Sequence, residues 1–332
     1  MNARALAFTT VNAVELLELE IPEPLAGEVL IETELSAISP GTELRCLAGL
    51  QANAKPWPFI PGYALVGTVI AVGAGVSLEL GSRVFCAGTQ RASLERMWGG
   101  HVSHAVALAS SVFVIPDGVT WLEASLTALA SIAHHGLHLS RPQSGERIAV
   151  IGLGAIGQLS AQLHALSGAE VAVTDTLPHR RTTARACGLN ALEPQGSLRE
   201  TFASVFPNGA DVIVDATGSP AVFAQALEVA RVPGWHDPLA LGGRYLIQGS
   251  YADGLQVPYD PVFQRELQLL FPRDTQPRDR RAVLKLMAQD KLKLAPLVRE
   301  YAVQDAPLAY KALQSLEPGM VTAAFRWRNT QP

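Results

Sequence analysis

Three glycines in the middle of the 332-residue chain have the spacing of a phosphate-binding turn. An apolar, strand-like segment leads into G-x-G-x-x-G at Gly152, Gly154 and Gly157, and a helix-like segment follows. Gly152 permits a tight turn, Gly154 lets the backbone approach a pyrophosphate, and Gly157 allows the helix to pack closely on the strand. The N–H groups at the start of the helix, at Ala155 and Ile156, lie at a positive dipole end that favours a diphosphate.

A second predicted strand ends at Asp175, 18 positions after Gly157. This order of strand, glycine turn, helix, strand and carboxylate is typical of a dinucleotide-binding Rossmann unit. A carboxylate at this point accepts the ribose hydroxyls of NAD and repels the 2′-phosphate of NADP, so we expect NAD rather than NADP. Arg180 and Arg181 could reach such a phosphate, but we interpret them as solvated residues on the next helix.

Two more predicted strands end at the same edge of this sheet, Asp211 to Asp215 and Gly243 to Gln248. Ligands of parallel sheets bind beyond the carboxyl ends of the strands. We therefore predict that residues following these strand ends also line the cofactor site, namely Thr217, Gly218, Gln248 and Gly249.

The pattern of strands and turns changes along the chain. Before Gly118, short segments rich in Val, Ile and Leu alternate with turn formers, which indicates a β-rich barrel or rolled sheet. After it, a buried helix is predicted over Trp121 to Leu139, and strands then alternate with helices, including one over Pro220 to Val232. That alternation indicates an α/β fold with a parallel sheet. In the tail we predict a helix over Arg278 to Gln289 and a closing strand over Val321 to Trp327.

Composition excludes several classes of partner. The formal net charge is −4 and the 26 Lys and Arg residues are scattered, so no nucleic-acid surface is indicated. The longest apolar segments are too short to cross a membrane, and the first residues do not look like a signal peptide. Cys46, Cys86 and Cys187 form no C-x-x-C pair, which favours reduced thiols in a cytoplasmic protein.

The order of a β-rich part and a later Rossmann part resembles the medium-chain dehydrogenase/reductase family. Pro61 to Gly67 is similar to the family's P-G-H-E-x-x-G, and Gly81 to Val84 is similar to its G-D-R-V. The resemblance implies a GroES-like catalytic domain over residues 1–118 and a Rossmann domain over 119–264. It further implies a return to the catalytic domain over 265–332, activity on a small-molecule substrate, and a homodimer.

Within the family, five segments resemble the subgroup of bacteriochlorophyllide dehydrogenases, which oxidise a hydroxyethyl group to acetyl. They are Ile38 to Glu43, Pro61 to Tyr63, Trp98 to Gly100, Ala133 to His135 and Gln276 to Asp279. The segments Gly88 to Met97 and Pro233 to Pro238, the second of which reads as an insertion, have no counterpart in this resemblance.

The metal-binding positions depart from the family pattern. Zinc-dependent members use an early Cys, the His and often the Glu of P-G-H-E, and a Cys or acidic residue before the Rossmann strand. The corresponding residues here are Ser39, Tyr63 with Ala64, and Ala128. Because Zn²⁺ prefers thiolate, imidazole or carboxylate ligands, we expect no metal.

Hydride transfer needs a group that exchanges a proton with the substrate oxygen. By the resemblance, Thr42 and Glu43 take the place of a hydroxyl proton relay, and the alternative is that they cap a helix beginning near Leu44. Tyr63 takes the place of the metal-binding His. Its phenol is expected either to hydrogen-bond the substrate oxygen or to fill the space that the metal would occupy.

Histidines supply the other candidates for proton exchange, because imidazole titrates near neutrality. His134 is our choice for a catalytic role. Its neighbour His135 points about 100° away on the predicted helix, so at most one of the two can face the site. His101 and His104 read as residues of the surface or the edge of the core.

Three functions are open at this point. The first, which we adopt, is a zinc-independent, NAD-dependent oxidation of a bulky, largely apolar secondary alcohol or reduction of the ketone. The second is an NAD(P)H-dependent reduction of quinones or conjugated enones. The third is binding of NAD(H) without turnover.

Overall fold

The computed structural model describes residues 1–51, 54–234, 242–251 and 254–328. The chain folds into two compact units. Unit 1 comprises Met1–Leu129, Arg280–Asp290 and Leu297–Pro332, and unit 2 comprises Ala130–Asp279 and Lys291–Pro296. Of the insertion-like segment, the part from Trp235 to Pro238 lies outside the described residues. The domain division at residues 118 and 264 stays a prediction.

The first part of the chain is rich in strands. Its elements are β1 (Asn2–Thr10), β2 (Ala13–Glu20), β3 (Glu28–Ala37), α1 (Pro40–Leu47), β4 (Leu65–Val72), β5 (Arg83–Cys86), β6 (His104–Leu108), β7 (Phe113–Val114) and α2 (Trp121–Ser125). β1 and β2 pair with each other, and β3 pairs antiparallel with both β4 and β6. Apolar side chains from β3 to β6, such as Ile31, Val69 and Val106, form one buried core.

A parallel sheet with crossover helices follows in unit 2. Its elements are α3 (Thr127–Ser140), β8 (Arg147–Ile151), α4 (Ala155–Ala165), β9 (Glu170–Thr174), α5 (Pro178–Ala186), β10 (Asn190–Leu192), α6 (Leu198–Ala203), β11 (Val212–Asp215), α7 (Pro220–Ala226), β12 (Arg244–Ile247), α8 (Tyr259–Gln264) and β13 (Gln268–Leu270). The strand order is β10-β9-β8-β11-β12-β13. The central strands are buried along their length, as expected where helices cover both faces of a sheet. The predicted α/β class is confirmed.

The end of the chain completes the sheet of unit 1. Its elements are α9 (Pro277–Ala288), β14 (Val298–Ala302), α10 (Ala306–Gln314) and β15 (Thr322–Arg326). β15 pairs antiparallel with β3, and β14 pairs parallel with β15. Short 3₁₀ turns lie at Ala109–Ser111, Leu227–Val229, Ala295–Leu297 and Val303–Asp305.

Two predicted helices differ from the observed ones, the first by a break and the second by its length. The helix predicted over Trp121 to Leu139 is broken at Leu126, whose N–H bonds to the carbonyls of the preceding turn. The Thr127 hydroxyl donates to the Ala124 carbonyl at 2.7 Å, so at the break this carbonyl accepts a hydrogen bond from a side chain. The helix predicted over Pro220 to Val232 ends at Ala226 and continues as a 3₁₀ turn.

Several elements were not predicted, among them β6, β14 and α10. β6 has the sequence His-Ala-Val-Ala-Leu, in which Ala has little preference for strands. It is a strand because it pairs residue for residue with β3. Within the described ranges, no helix is long and apolar enough to cross a membrane.

Candidate functional site

The segment Gly152–Gly157, called the glycine turn below, requires two of its glycines for steric reasons. Gly152 has φ +87°, and a Cβ there would lie 2.8 Å from Cγ2 of Thr217. A Cβ on Gly157 would overlap the carbonyl oxygen of Gly152. Gly154 differs, because the nearest atom to its added Cβ is Nη1 of Arg180 at 3.9 Å. The Cα of Gly154 therefore faces open space, where a ligand can approach the backbone.

Helix α4 begins directly at this open face. Its N-cap is Gly154, which offers no side-chain cap, and its first turn carries no acidic residue. The N–H groups of Ala155, Ile156 and Gly157 lie in that first turn. An uncapped helix start with a positive dipole end beside open space fits a diphosphate.

Asp175 joins the glycine turn to the end of β9. Its Oδ2 accepts the Leu153 N–H at 2.7 Å, and its Oδ1 accepts the Leu177 N–H at 2.8 Å. Nη1 of Arg180 lies 3.5 Å from the same Oδ2. The side chain of Asp175 is 6% exposed and that of Arg180 22% exposed. A carboxylate keeps further lone pairs after two such bonds, so Asp175 can still accept hydroxyls of a ligand.

Arg181 is not the solvated residue that we expected. Its side chain is buried, its Nη1 donates to the Asp175 carbonyl at 2.7 Å, and it pairs with Glu193. The first turn of α5 packs this arginine against the loop after β9 and the end of β10, so it is unable to reach a phosphate at the glycine turn. Of the two arginines, Arg180 is the one whose guanidinium lies beside the glycine turn, 3.9 Å from a Cβ added at Gly154.

The loop after β11 is held by a buried carboxylate, Asp215. Its Oδ1 accepts the N–H and the hydroxyl of Thr217 at 2.9 and 2.6 Å. Its Oδ2 accepts the hydroxyls of Tyr245, at 2.9 Å, and of Tyr251. Burial and the adjacent Asp215 raise the pKa of both tyrosines, so both stay protonated and donate. Four donors compensate the one buried charge.

The loops after β11 and β12 approach each other closely. A Cβ on Gly218, where φ is +67°, would lie 2.5 Å from the Ser250 carbonyl oxygen. A Cβ on Gly249 would overlap the Gly218 backbone nitrogen. Thr217 packs against Gly152. The loops after β11 and β12 are therefore continuous with the glycine turn along the carboxyl edge of the sheet.

The side chain of Gln248 turns towards α3. Its Nε2 donates to the Ile132 carbonyl at 3.2 Å. A Cβ on Gly136 would overlap its Oε1, so the Gln248 amide lies directly on the glycine of this helix. The amide of Gln248 thus packs on the helix, and its contact with a cofactor stays a prediction.

In unit 1, three hydroxyls meet at the start of α1. The Tyr63 hydroxyl bonds to Oγ of Ser39 and lies 3.4 Å from Oγ1 of Thr42. Ser39 is the N-cap of α1 by its backbone, but its side chain makes no capping bond. Instead Oε1 of Glu43 accepts the Ser39 N–H at 2.7 Å. The alternative in which Glu43 supports a helix start is thus observed, with the helix beginning at Pro40 rather than near Leu44.

A fully buried set of side chains lies behind these hydroxyls; we call Ser36, Glu43, His101, Tyr310 and Trp327 the Glu43 network. Oε2 of Glu43 lies 2.8 Å from Nε2 of His101 and accepts the Tyr310 hydroxyl at 2.6 Å. Nδ1 of His101 bonds to Oγ of Ser36 at 2.8 Å, and Ser36 accepts the Trp327 indole N–H at 2.8 Å. The Glu43 side chain is 0% exposed, so its carboxylate contacts protein groups and not solvent.

The prediction that His101 lies at the surface or the edge of the core is wrong. Its side chain is fully buried, because it packs against Gly62, and Gly100 lets the Gly62 backbone come close. Gly62 has φ +81°, and a Cβ there would lie 2.6 Å from Cδ2 of His101. A Cβ on Gly100 would lie 2.5 Å from the Gly62 carbonyl carbon. The Pro-Gly-Tyr segment therefore packs against Gly100 and His101, which positions Tyr63.

His134 lies in unit 2 and is bound to a carboxylate. Its Nδ1 lies 2.8 Å from Oδ1 of Asp279, and Nδ1 of His135 lies 3.2 Å from Oδ2. The Gln276 N–H also donates to Asp279, at 2.8 Å. Burial disfavours the charge on Asp279, but these bonds keep its pKa below the usual value. The Ala-His-His and Gln-Pro-Arg-Asp segments are therefore one structural feature.

The residues at the metal positions do not fit a catalytic zinc. The hydroxyls of Ser39 and Tyr63 bond to each other, and Ala64 and Ala128 offer buried methyl groups. These are not ligands that Zn²⁺ prefers. Among the described residues, no group of three or more His, Cys, Asp or Glu could hold a metal ion.

Comparison with known proteins assigns the family. Residues 25–117 match the alcohol dehydrogenase GroES-like domain, and residues 155–289 match the model described as zinc-binding dehydrogenase. The chain is 27% identical over 344 residues to 2-desacetyl-2-hydroxyethyl bacteriochlorophyllide A dehydrogenase of Cereibacter sphaeroides, covering 99% of this chain and 100% of that protein. The chain belongs to the medium-chain dehydrogenase/reductase family of oxidoreductases, as its motifs predicted.

Solved structures share the fold. An alcohol dehydrogenase from E. coli CFT073 in complex with NADH superposes with a TM-score of 0.84 at 21% identity, covering 98% of this chain and 99% of that one. A protein from Sinorhizobium meliloti 1021 described as a zinc-binding dehydrogenase, bound to NADP, gives a TM-score of 0.83 at 22% identity with the same coverage. The predicted combination of GroES-like and Rossmann folds is confirmed.

Sequence reasoning missed the residues that hold the site from behind. Tyr245 and Tyr251 belong to no recognised motif. The one sequence signal for the loop that they support was Asp215, an acidic residue at the end of an apolar strand. Tyr310 lies 267 positions from Glu43, and no local pattern connects the two.

Proposed function

We propose that this protein is a zinc-independent, NAD-dependent oxidoreductase acting on a bulky, largely apolar secondary alcohol or its ketone. The observation that carries the proposal is that the hydroxyl of half-buried Tyr63 meets the hydroxyls of Ser39 and Thr42. By the family resemblance, Tyr63 takes the place of the metal-binding His. A polar group that replaces the metal must stabilise the developing alkoxide, and a phenol O–H can do so. The relative whose name specifies a hydroxyethyl bacteriochlorophyllide supports the choice of substrate class.

The glycine turn would hold the pyrophosphate of the cofactor through its open Gly154 and the first N–H groups of α4. When bound, the nicotinamide ring supplies the site that gives or takes the hydride. Asp175 would accept the ribose hydroxyls, and Thr217, Gly218 and Gly249 would line the rest of the edge. NAD is favoured over NADP because Arg181 is occupied elsewhere and Arg180 already faces a carboxylate. Solved neighbours hold either cofactor.

Tyr63 would donate to the substrate oxygen. In ketone reduction Tyr63 would give its proton to the substrate oxygen, and it would regain a proton through Ser39 or Thr42 and then solvent. Alcohol oxidation runs the same steps in reverse. Glu43 is enclosed by His101, Tyr310 and the Ser39 N–H, so we assign it to holding Ser39 in place rather than to contact with substrate.

The second candidate is an NAD(P)H-dependent quinone or enone reductase, for which NADPH would be the preferred cofactor. The partly exposed guanidinium of Arg180 beside the glycine turn is the one feature that favours it. Binding of NAD(H) without turnover is the third possibility, and a panel of alcohols, ketones, enones and quinones distinguishes the three.

Replacing Tyr63 by Phe tests the catalytic assignment, because it keeps the ring and removes only the donor. We expect turnover to fall about 10²- to 10³-fold while NADH affinity stays within about twofold. Thr42→Val and His134→Ala are the matched controls. Normal turnover in Tyr63→Phe with loss in either control would move the donor role to that residue. Elemental analysis that finds one zinc per chain, retained after mild chelation, would refute the zinc-free mechanism.

We also propose that the protein is a cytoplasmic homodimer that binds neither nucleic acid nor membranes. Among the described strands of unit 2, β13 lies at one end of the parallel sheet, and exposed rings lie near it: Tyr259 and Phe263 stack on α8, and Phe271 follows the strand. Exposed apolar rings at a sheet edge favour self-association. Light scattering should give a dimer mass, and Phe271→Asp should give monomers. The three-part domain division at residues 118 and 264 belongs to this proposal.

A further inference from the structure

The backbone at Trp98 adopts a conformation that favours glycine. Its φ is +69°, in the left-handed region that side chains larger than hydrogen occupy at a cost. The next residue, Gly99, has φ +73° and accepts the Thr89 N–H at 2.9 Å. On the other side, the Met97 N–H donates to the Ile60 carbonyl at 2.8 Å. Hydrogen bonds therefore fix the backbone at Met97 and Gly99, on both sides of the strained backbone conformation of Trp98.

This anchoring holds the indole beside Tyr63. The two rings meet edge to face, with centroids 5.3 Å apart and planes at 79°. Trp98 is nevertheless 40% exposed, and among the described tryptophans it is the one counted with the exposed large apolar side chains. A tryptophan that is both strained and exposed contributes little to the core. The conformational strain at Trp98 is therefore not explained by packing, and we look for a function of the exposed indole.

We propose that the Trp98 indole is the wall of the substrate site beside Tyr63 and that it selects substrates with a flat aromatic ring next to the reacting carbon. This rests on the proposed function, because it takes Tyr63 as the donor to the substrate oxygen. An aromatic ring stacked on the indole would bring an attached carbonyl or carbinol oxygen to the adjacent phenol. Aryl-substituted secondary alcohols and aryl ketones are the class that satisfies both contacts.

Acetophenone and cyclohexyl methyl ketone form a matched pair for the test, since both carry a methyl ketone on a six-membered ring and only the first ring is flat. We expect the wild-type protein to prefer acetophenone in kcat/KM. In Trp98→Leu that preference should fall about tenfold, mainly through KM for acetophenone. Trp98→Phe, which keeps a ring face, should retain most of it.

Trp98→Gly separates recognition from structure, because glycine adopts the observed φ without strain. We expect its melting temperature to equal or exceed that of the wild type, while the preference for acetophenone is lost as in Trp98→Leu. A lower melting temperature with an unchanged preference would show that Trp98 is structural and would overturn the inference.

Calorimetric titration of acetophenone into NADH-saturated protein distinguishes failure of this inference from failure of the proposed function. Turnover of both ketones with a preference that Trp98 does not affect would overturn the inference and leave the function standing. Binding of acetophenone that depends on Trp98, without turnover of any ketone or alcohol, would overturn the function and support the inference. Neither binding nor turnover would overturn both.

Discussion

The glycine turn and the Glu43 network differ in how far apart along the chain their parts lie. The turn is made within one run from Gly152 to Gly157, with Asp175 18 positions further on. The network joins side chains as distant as Ser36 and Trp327, 291 positions apart. A binding site made of backbone can therefore be read from consecutive residues, whereas a site made of buried side chains requires the fold.

The two regions also differ in the kind of change that would damage them. At the glycine turn, the backbone conformation and close approaches leave no room for added atoms at Gly152 or Gly157. In the Glu43 network, one carboxylate serves three donors, so the loss of a single group leaves buried polar atoms without partners.

The largest effect is expected from a single methyl group at the turn. In Gly157→Ala the new Cβ overlaps the Gly152 carbonyl oxygen, so we expect the purified protein to be unfolded or its melting temperature to fall by more than 10 °C, on the order of several kcal/mol. Gly154→Ala is the control, because its Cβ meets open space. It should melt like the wild type and bind NADH at least about tenfold more weakly, since the methyl occupies the pyrophosphate position. Equal melting temperatures for the two variants would contradict the steric difference.

Next in size is removal of the charge from the Glu43 network. Glu43→Gln places an amide among donors that need an acceptor, and leaving buried donors unsatisfied costs about 1–3 kcal/mol each in the free energy of unfolding. Tyr310→Phe removes one donor only and should cost about 1 kcal/mol. Urea unfolding measures both, and NADH affinity should stay within about twofold. If Glu43 contacted substrate instead, Glu43→Gln would lose turnover while keeping its stability.

Each unit contains a buried histidine, and the two histidines have different partners. His101 has a carboxylate partner, whereas His164 bonds to the Ser160 carbonyl at 2.7 Å and the Ser140 hydroxyl at 3.0 Å. Burial lowers the pKa of His164 to about 4, below the usual 6.5. Between those values the unfolded chain binds the extra proton, so stability is full above pH 6.5 and falls by up to about 3 kcal/mol as the pH approaches 4.

Unfolding of the wild type and of His164→Gln across this pH range measures that loss. The difference in their free energies of unfolding should shrink or reverse as the pH falls, because glutamine does not titrate. A difference that stays constant between pH 7 and pH 4 would mean that the pKa of His164 is the same in the folded and the unfolded protein, and would contradict the prediction.

The smallest expected effect concerns the choice of cofactor. Asp175→Ser removes the repulsion against a 2′-phosphate and leaves Arg180 without its carboxylate. We expect the NADH preference over NADPH to shrink by about tenfold, equivalent to about 1.4 kcal/mol. Arg180→Leu should shift it the other way. Equal affinities for the two cofactors in the wild type would show that Arg180 outweighs Asp175.

Sequence patterns were most informative where local backbone requirements dominate. The parallel sheet, the turn at Gly152 and the carboxylate at Asp175 were predicted, because consecutive residues specify a strand, a tight turn and a helix. The strands β6 and β14 were not, since pairing with distant partners makes them strands. The helix at Pro40 was only half predicted, because its first turn is stabilised by Glu43 from within the network rather than by the Ser39 hydroxyl.

The family and the glycine turn could be predicted from the sequence, because their motifs consist of residues that lie close together along the chain. The enclosure of Glu43, the burial of His101 and the pairing of Arg181 with Glu193 depend on how distant segments pack, and local patterns did not predict them. The physical reason is that a buried polar group needs partners. Which partners are within reach depends on which strands and helices come to lie side by side.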